Sequence, residues 1–501
     1  MRRKVAAGDL LCKLAGQWGS LALPSTAASN NGAGERAYGP RTVIGAPHAT
    51  RPGPRTRTRR ATGRAGRRHK LTTTRPGRRR PCERLAGGAR LPGCRAVTDF
   101  QTVAALLGGL LMLGAVISAV AQRSFLALAP LFVVLGFILG TGGLGVLAFD
   151  PGSGFVEGVA LTALIVILFR DGLAVEEEML RTAWHLPVRK LVLAMPLTAV
   201  IVALATKALT DLSWTEAFLL GALLSPTDPV LSSGVVTNPR VPRIVRHSLN
   251  LESGMNDGLA LAPVLALSAA LAAHHGEFVW WRFVLQDVGL GLAFGIAIGV
   301  LASVVLPRPR DGSEGIASHQ LALYALGVAF IAYGATTLPP HGNGLIAVFV
   351  CAIVFGIRRP EVAAVFEERA QDIVEIAKLA IFVVFGSLLT IHGLFGDGLA
   401  AVAIVLVTLL IARPVAVWLA LARSGMSAHT KAFMAWFGPK GVATMTFALL
   451  VLGDDLGASE RLFNLAALVV FVSTLAHGLT DKPGVDWIAR RSDDEAPSPH
   501  R

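Results

Sequence analysis

Thirteen apolar stretches follow one another after residue 100, each about as long as the segment with which an α-helix crosses a bilayer. Hydrophobic residues make up 53% of the chain and charged residues only 16%, which excludes an ordinary soluble protein. Because lipid offers no hydrogen bonds to the backbone, such spans have to be helical. We therefore predict an all-α polytopic membrane protein with about thirteen transmembrane helices, near residues 102–121, 125–147, 155–172, 190–209, 215–236, 249–272, 282–306, 320–337, 343–357, 374–391, 398–421, 430–451 and 461–480.

The basic residues between these spans alternate from one side of the membrane to the other. Connections after even-numbered spans hold almost none, chiefly Arg282 and Arg461. Since basic loops stay in the cytoplasm, we predict a multi-pass protein of the plasma membrane with its N-terminus outside and its C-terminus cytoplasmic. The connections after odd-numbered spans carry the basic residues Arg123, Arg181, Arg189, Lys190, Arg240, Arg243, Arg246, Arg308, Arg310, Arg358, Arg359, Arg369 and Arg423.

The N-terminal segment differs in composition from the rest of the chain. Its first 100 residues carry a net charge of +18 and are rich in Arg, Pro, Gly and Thr, whereas the remainder carries −4. Disorder is predicted, and a tail for nucleic acid or anionic lipid is one interpretation. Because so basic a segment would not cross to the outside, we interpret residues 1–98 as sequence upstream of the true start. Residues 99–482 then form the membrane domain and 483–501 a short cytoplasmic tail.

The cysteines indicate neither a disulfide framework nor a metal site. Three of the four, Cys12, Cys82 and Cys94, lie in the basic N-terminal segment, and Cys351 lies alone in a predicted helix. No motif calls for a cofactor, so none is predicted, and no nucleic-acid partner is expected.

Six ionisable residues stand out in the predicted spans, and at mid-helix each costs roughly 2.5–3.5 kcal/mol on insertion scales and therefore needs a partner or a function. Four are acids and two are bases, so we expect a surplus of two negative charges that attracts a cation or a proton. The six are Asp171, Asp228, Glu252, Asp257, Arg413 and Lys440.

The sixth span places its polar residues on two neighbouring stripes of one helix. Glu252 and Asn256 are four residues apart, as are Ser253 and Asp257. One stripe can hold Glu252 against Arg413 as a buried ion pair. The other offers a hydroxyl and a carboxylate, which are oxygen ligands suited to an alkali cation.

Two spans, the fifth and the twelfth, carry helix breaks. In Ser225-Pro-Thr-Asp-Pro229 the prolines end one half-helix and begin another, and Phe437-Gly-Pro-Lys-Gly441 repeats the pattern. Because an odd number of crossings separates the two spans, they run in opposite directions. Such a pair is typical of an inverted-repeat secondary transporter with two crossed broken helices. We expect Lys440 to face the carbonyl ends of the broken helices and Asp228 the amide ends.

These motifs, TDP, ESGMND, a later core arginine and GPKG, resemble in this order the cation:proton antiporter-1 family of Na+/H+ exchangers over about residues 100–482. The resemblance implies a homodimer and one-for-one, electroneutral exchange, because Asn rather than Asp precedes the essential carboxylate. Lys440 stands where many relatives have Arg. The roles implied are an ion-binding carboxylate at Asp257 with Asn256 beside it, cation-ligating oxygens at Thr227 and Ser253, further acids at Asp228 and Asp171, and a structural pair of Glu252 with Arg413.

The expected function is secondary active exchange of Na+ or K+ for H+ by alternating access, with no enzymatic activity. Burial favours the protonated form of Asp257 and a bound cation favours the ionised form, so the two ligands compete. A cation channel or an ion-coupled symporter on the same fold is the alternative. An intramembrane aspartyl protease using Asp171 and Asp257 would leave the helix breaks unexplained. Three glycines of the seventh span form a small-residue face for another helix or for a second subunit, namely Gly291, Gly295 and Gly299.

Overall fold

The structure is a computed structural model that describes residues 108–109, 112, 128–175, 185–228, 233–273, 278–307, 316–339, 341–454 and 456–495. The basic segment 1–98 lies outside the described residues, as does the predicted first span apart from three positions. The described part contains helices and no strand, as predicted.

Sixteen helices are distinguished within the described ranges. Helices α3, α7 and α13 each include a short π-helical segment. The helices are α1 Leu128–Leu139, α2 Gly154–Leu173, α3 Leu186–Leu209, α4 Trp214–Leu223, α5 Ser233–Val236, α6 Arg243–Ala272, α7 Trp280–Val305, α8 Ser318–Thr337, α9 Gly344–Arg358, α10 Pro360–Arg369, α11 Gln371–Ser387, α12 Ile391–Leu394, α13 Leu399–Ala420, α14 Ala428–Trp436, α15 Val442–Gly453 and α16 Ser459–Glu495.

Six of these helices are long and apolar enough to cross a membrane: α3, α6, α7, α8, α13 and α16, the last over Ser459–Arg491. Four shorter apolar helices lie at Ala129–Leu139, Trp214–Leu223, Gly344–Arg358 and Val442–Gly453. The last predicted span is longer than expected, because α16 continues to Glu495 through Pro483. Val485 and Ile488 of this extension are buried in an apolar cluster with Phe433 and Phe437. The total of thirteen spans stays a prediction.

Local sequence signals explain several helix starts. Ser213 and Glu216 form a capping box at the start of α4, with 2.6 Å from Ser213 N to Glu216 Oε2 and 3.3 Å from Glu216 N to Ser213 Oγ. Asn343 Oδ1 accepts the first amides of α9, those of Leu345 and Ile346, each at 3.1 Å. These caps satisfy donors that the first helical turn cannot pair by itself.

The glycine face of α7 packs inside the chain. A Cβ atom on Gly295 would lie 2.7 Å from the carbonyl oxygen of Ala347, and one on Gly299 would lie 2.8 Å from that of Cys351. Both carbonyls belong to α9, so the small residues let these two helices approach closely. Of the two partners considered from the sequence, the structure therefore supplies a helix of the same chain.

Hydrogen bonds and ion pairs join loops that were predicted to lie on the same side of the membrane. Among connections after even-numbered predicted spans, Arg461 bonds Asp211 at 2.7 Å and also pairs with Asp397. Among those after odd-numbered spans, Arg189 Nη2 donates to the carbonyl of Ala422 at 3.0 Å. The two sets of loops thus meet at different ends of the helices.

Candidate functional site

The backbone breaks of the fifth and twelfth predicted spans lie in contact. Helix α4 ends at Leu223 and residues 225–228 are not helical, while α14 ends at Trp436 and residues 437–441 are not helical. The Asp228 amide donates to the carbonyl oxygen of Pro439 at 2.8 Å. The predicted first-turn proline, Pro229, lies outside the described residues.

Lys440 satisfies the carbonyl end of the first break. Its ammonium donates to the carbonyl oxygens of Ser225 and Pro226, at 3.3 and 3.1 Å, and only 1% of the residue is exposed. These carbonyls follow α4, where a helix leaves acceptors unpaired. The backbone amide of Lys440 in turn donates to Ser473 Oγ at 3.0 Å. This placement agrees with the expected position of Lys440, and its functional role stays a prediction.

Asp228 lies at the amide end of the second break. The backbone amide of Val442, the first residue of α15, donates to Asp228 Oδ2 at 3.4 Å. Gly441 is required beside it, because a Cβ atom there would overlap the Asp228 side chain. A Cβ atom at Gly438 would likewise collide with the guanidinium of Arg413. Each break therefore supplies groups that cap the helix end at the other.

Glu252 is held by two bases rather than the one expected. Arg413 Nη1 donates to Oε1 at 3.0 Å, as the sequence suggested, and Lys190 Nζ pairs with Oε2. Lys190 Nζ also lies 3.4 Å from the carbonyl oxygen of Ser248, and its side chain is 0% exposed. Lys190 stood among the predicted loop residues because it lies at the start of an apolar stretch. The sequence signal for its burial is that this lysine directly precedes a long run of apolar residues.

Asp171 is paired with Arg170, which was not among the six charges singled out in the predicted spans. Arg170 donates to Asp171 Oδ1 from both Nε, at 2.8 Å, and Nη2, at 2.5 Å. Asp171 is 4% exposed on the inner side of α2, while the Arg170 side chain is 23% exposed.

The expected surplus of two buried negative charges is wrong. Among the described residues, four acids and four bases are buried, because Lys190 and Arg359 join the two bases that were expected. Arg359 lies at the end of α9 and donates to the carbonyls of Ser303 and Leu306 at 3.0 and 2.7 Å. Long basic side chains that start at a span's end reach inward, which hydropathy alone does not reveal.

Thr227 joins the first break to α6. Asn256 Nδ2 donates to the carbonyl oxygen of Thr227 at 2.6 Å and to its Oγ1 at 3.0 Å. The same hydroxyl donates to Glu252 Oε1 at 3.4 Å. Thr227 therefore meets the Glu252 and Asn256 stripe of α6, whereas Ser253 and Asp257 occupy the neighbouring stripe.

Asp257 differs from the other three buried acids. It is 6% exposed, and its Oδ1 is buried without a hydrogen-bond partner among the described residues. Asn256 Oδ1 is likewise buried without a hydrogen-bond partner among the described residues. Ser253, one helical turn before Asp257, is 9% exposed. Buried polar atoms of this kind require an explanation, because leaving one unpaired costs roughly 1–3 kcal/mol.

The side chains around Asp257 offer oxygen atoms but no clustered metal site among the described residues. No group of three or more His, Cys, Asp or Glu side chains within the described ranges could hold a metal ion. Hydroxyl, amide and single carboxylate oxygens are nevertheless hard ligands that suit alkali cations. The predicted ligand set of Asp257, Thr227 and Ser253 stays a prediction.

Comparison with known proteins places the chain in a family. Residues 109–487 match the family model described as sodium/hydrogen exchanger, transmembrane. The chain is 28% identical over 390 residues to the K(+)/H(+) antiporter NhaP of Alkalimonas amylolytica, a match that covers 76% of this chain and 66% of that protein. It is 28% identical over 392 residues to the Na(+)/H(+) antiporter NhaG of Bacillus atrophaeus, covering 74% and 72%.

The fold is also similar to a solved structure. The sodium proton antiporter MjNhaP1 from Methanocaldococcus jannaschii matches with a TM-score of 0.68 and 18% identity, over 78% of this chain and 99% of that one. At this identity the likeness concerns the fold alone. The match to the family model covers most of the chain, so the resemblance drawn from its motifs is confirmed: the chain belongs to the sodium/hydrogen exchanger family.

Proposed function

We propose that this protein is a secondary active antiporter that exchanges a monovalent cation, Na+ or K+, for protons across the plasma membrane. The observation that carries the proposal is that some buried acids are paired with bases and one is not. Glu252 contacts Lys190 and Arg413, and Asp171 contacts Arg170. Asp257 alone among these three has a buried oxygen without a partner in the described residues. Membership of an exchanger family and relatives named as cation/proton antiporters support the same function.

Competition for one carboxylate explains the coupling. In a low-dielectric site the carboxylate of Asp257 is stabilised either by a proton or by a cation, and the empty charged form is the costly one to move. Thr227, Ser253 and Asn256 supply further oxygens for the cation, while Asp228 and Lys440 compensate the helix ends. Alternating access of this loaded site to the two sides produces exchange, with cation moving out and protons in.

We propose electroneutral exchange of one cation for one proton, because the pair Asn256 and Asp257 resembles the Asn-Asp form that goes with such exchange in the family. We further propose that the protein is a homodimer in the lipid bilayer with its N-terminus outside and its C-terminus cytoplasmic. A voltage-independent rate in proteoliposomes would support the stoichiometry. A rate that rises with an imposed membrane potential would contradict it.

The decisive experiment is cation-driven dissipation of a pH gradient in proteoliposomes. We expect wild-type protein to respond to Na+, K+ or Li+, and Asp257→Asn to lose the response completely. Asp454→Asn, at an exposed acid after α15, is the matched control and should transport normally. If Asp257→Asn still exchanges cations for protons, the assignment of the carboxylate is wrong. Cation flux without proton movement would instead indicate a channel, and dependence on an organic anion would indicate a symporter.

A further inference from the structure

Lys190 is a buried cation that neither the sequence motifs nor the proposed exchange cycle requires. Its side chain is fully buried, and its ammonium contacts Glu252 Oε2 and the carbonyl of Ser248, both on α6. Lysine is rarely buried without a specific reason, because removing its charge from water is expensive.

The backbone is adapted to bring this lysine inward. Lys190 begins a π-helical segment, Lys190–Ala194, and Arg413 directly follows another, Val407–Ala412. A π-helical turn inserts an extra residue into a helix and redirects the side chains around it, and such turns are frequent at functional sites. The two bases that hold Glu252 thus each adjoin such a segment.

The two bases divide the carboxylate between them. Lys190 takes Oε2, and Arg413 approaches Oε1, which also accepts the hydroxyl of Thr227. A lone guanidinium would bind both carboxylate oxygens with its fork, since bidentate pairing is its preferred geometry. With Oε2 held by Lys190, Arg413 contacts Oε1 through Nη1 alone, and the carboxylate is fixed where Oε1 also accepts the hydroxyl of Thr227.

The contact with Oε1 orients the Thr227 hydroxyl. Its proton is directed to Glu252, and one of its two lone pairs accepts the amide of Asn256. The second lone pair remains for a cation ligand, because an ionised carboxylate can only accept. If the hydroxyl proton turned toward the ion, the oxygen would no longer be a good ligand.

We propose that Lys190 is a positioning residue for the transported cation, acting through Glu252 on the hydroxyl of Thr227. This inference rests on the proposed function, since it requires Thr227 to ligate the cation. Lys190 itself touches no ion. Its removal should weaken cation binding more than it slows the movement of the loaded site.

The test is a double-mutant cycle measured in proteoliposomes. We expect Lys190→Met to raise the KM for Na+ or K+ about tenfold with a smaller change in the maximal rate, and Lys190→Arg to restore most of the affinity. In a Thr227→Val background the KM is already raised, and adding Lys190→Met should change it less than twofold. Lys207→Met, on the same helix, is the control and should keep the wild-type KM.

Several results would overturn the inference. Lys190→Met could leave the KM unchanged, or its effect could add fully to that of Thr227→Val, as a purely structural role predicts. A Lys190→Met protein that does not fold would shift the test to Lys190→Arg and Thr227→Ser, which keep the charge and the hydroxyl and should both stay within threefold of wild type. Failure of the proposed function is distinguishable, because wild-type protein would then show no cation-driven proton movement at all.

Discussion

Two clusters of three charges have opposite arrangements and opposite surroundings. In the inner cluster one acid, Glu252, lies between two bases, Lys190 and Arg413, and their side chains are 0–8% exposed. In the rim cluster one base, Arg461, lies between Asp211 and Asp397, and the exposed fractions range from 12% to 86%. Both clusters consist of contacts between carboxylates and basic side chains, but the surroundings of the inner cluster have a lower dielectric constant than those of the rim cluster. Removing a partner is therefore expected to have very different consequences at the two places.

The largest effect is expected from Glu252→Ala, which leaves two buried cations without their carboxylate. Breaking a buried ion pair in this way costs about 3–5 kcal/mol, because the remaining charge keeps its desolvation penalty. Thermal unfolding of the detergent-solubilised protein, followed by tryptophan fluorescence, measures the loss. A stability equal to that of wild type would show that the inner cluster is not needed for folding.

A smaller loss is expected from Lys440→Met, which removes the donor to the carbonyls of Ser225 and Pro226. Unpaired buried acceptors cost about 1–3 kcal/mol. Lys207→Met is the less buried counterpart. Lys207, near the end of α3, also donates to a carbonyl oxygen, that of Leu212 at 2.8 Å. Unfolding of both variants under the same conditions compares the two. Equal losses of stability in the two variants would contradict the expectation that burial decides the size of the effect.

Arg461→Ala tests the rim cluster directly. Because the side chain of Arg461 is 33% exposed, water replaces much of what it loses, and we expect destabilisation of at most about 1 kcal/mol. The effect should also decrease at high salt, which screens exposed charges. Unfolding at low and high ionic strength measures both. A loss as large as that of Glu252→Ala would show that exposure does not decide the outcome.

The smallest effect is expected from Asp211→Asn. The hydrogen bond from Arg461 lowers the pKa of Asp211, whose side chain is exposed. A depressed pKa means that the ionised form contributes to stability at neutral pH, and this contribution is lost as the pH falls through the folded-state pKa. Asp211→Asn should leave unfolding at pH 7 almost unchanged and slightly flatten the decline of Tm in acid. A clear drop of Tm at pH 7 would contradict this expectation.

The helices and the breaks were largely predictable because their causes are local. A hydropathy window finds α7, α8 and α13 within two residues of their observed bounds, since a bilayer sets both composition and length, whereas α6 begins six residues before the predicted span. Proline and glycine marked the interruptions before Asp228 and at Lys440, because they act on the turn in which they stand. The pair of Glu252 with Arg413 was also foreseen, from an acid and a base each placed within an apolar run.

Other features were not predicted because they depend on contacts that a long side chain or a helix end makes in the folded protein. Lys190 was counted among the loop residues although it is fully buried, and Arg170 was not counted among the intramembrane charges although it bonds Asp171. The extension of α16 to Glu495 was missed because polar residues and Pro483 suggested a tail. For Lys190 and for the extension of α16, packing against another helix outweighed the local preference.

The sequence by itself determined that this chain is a helical membrane protein with two interrupted spans and a small set of intramembrane charges. The hydropathy of a span and the effects of proline and glycine on the backbone depend on consecutive residues, so they can be identified from the sequence. Only the tertiary structure decided which charges meet. It placed Lys190 on Glu252 and Thr227 on Asn256, and left one oxygen of Asp257 without a partner among the described residues. Pairing of this kind depends on distances between helices far apart in the chain, and the energy of each pair depends on burial.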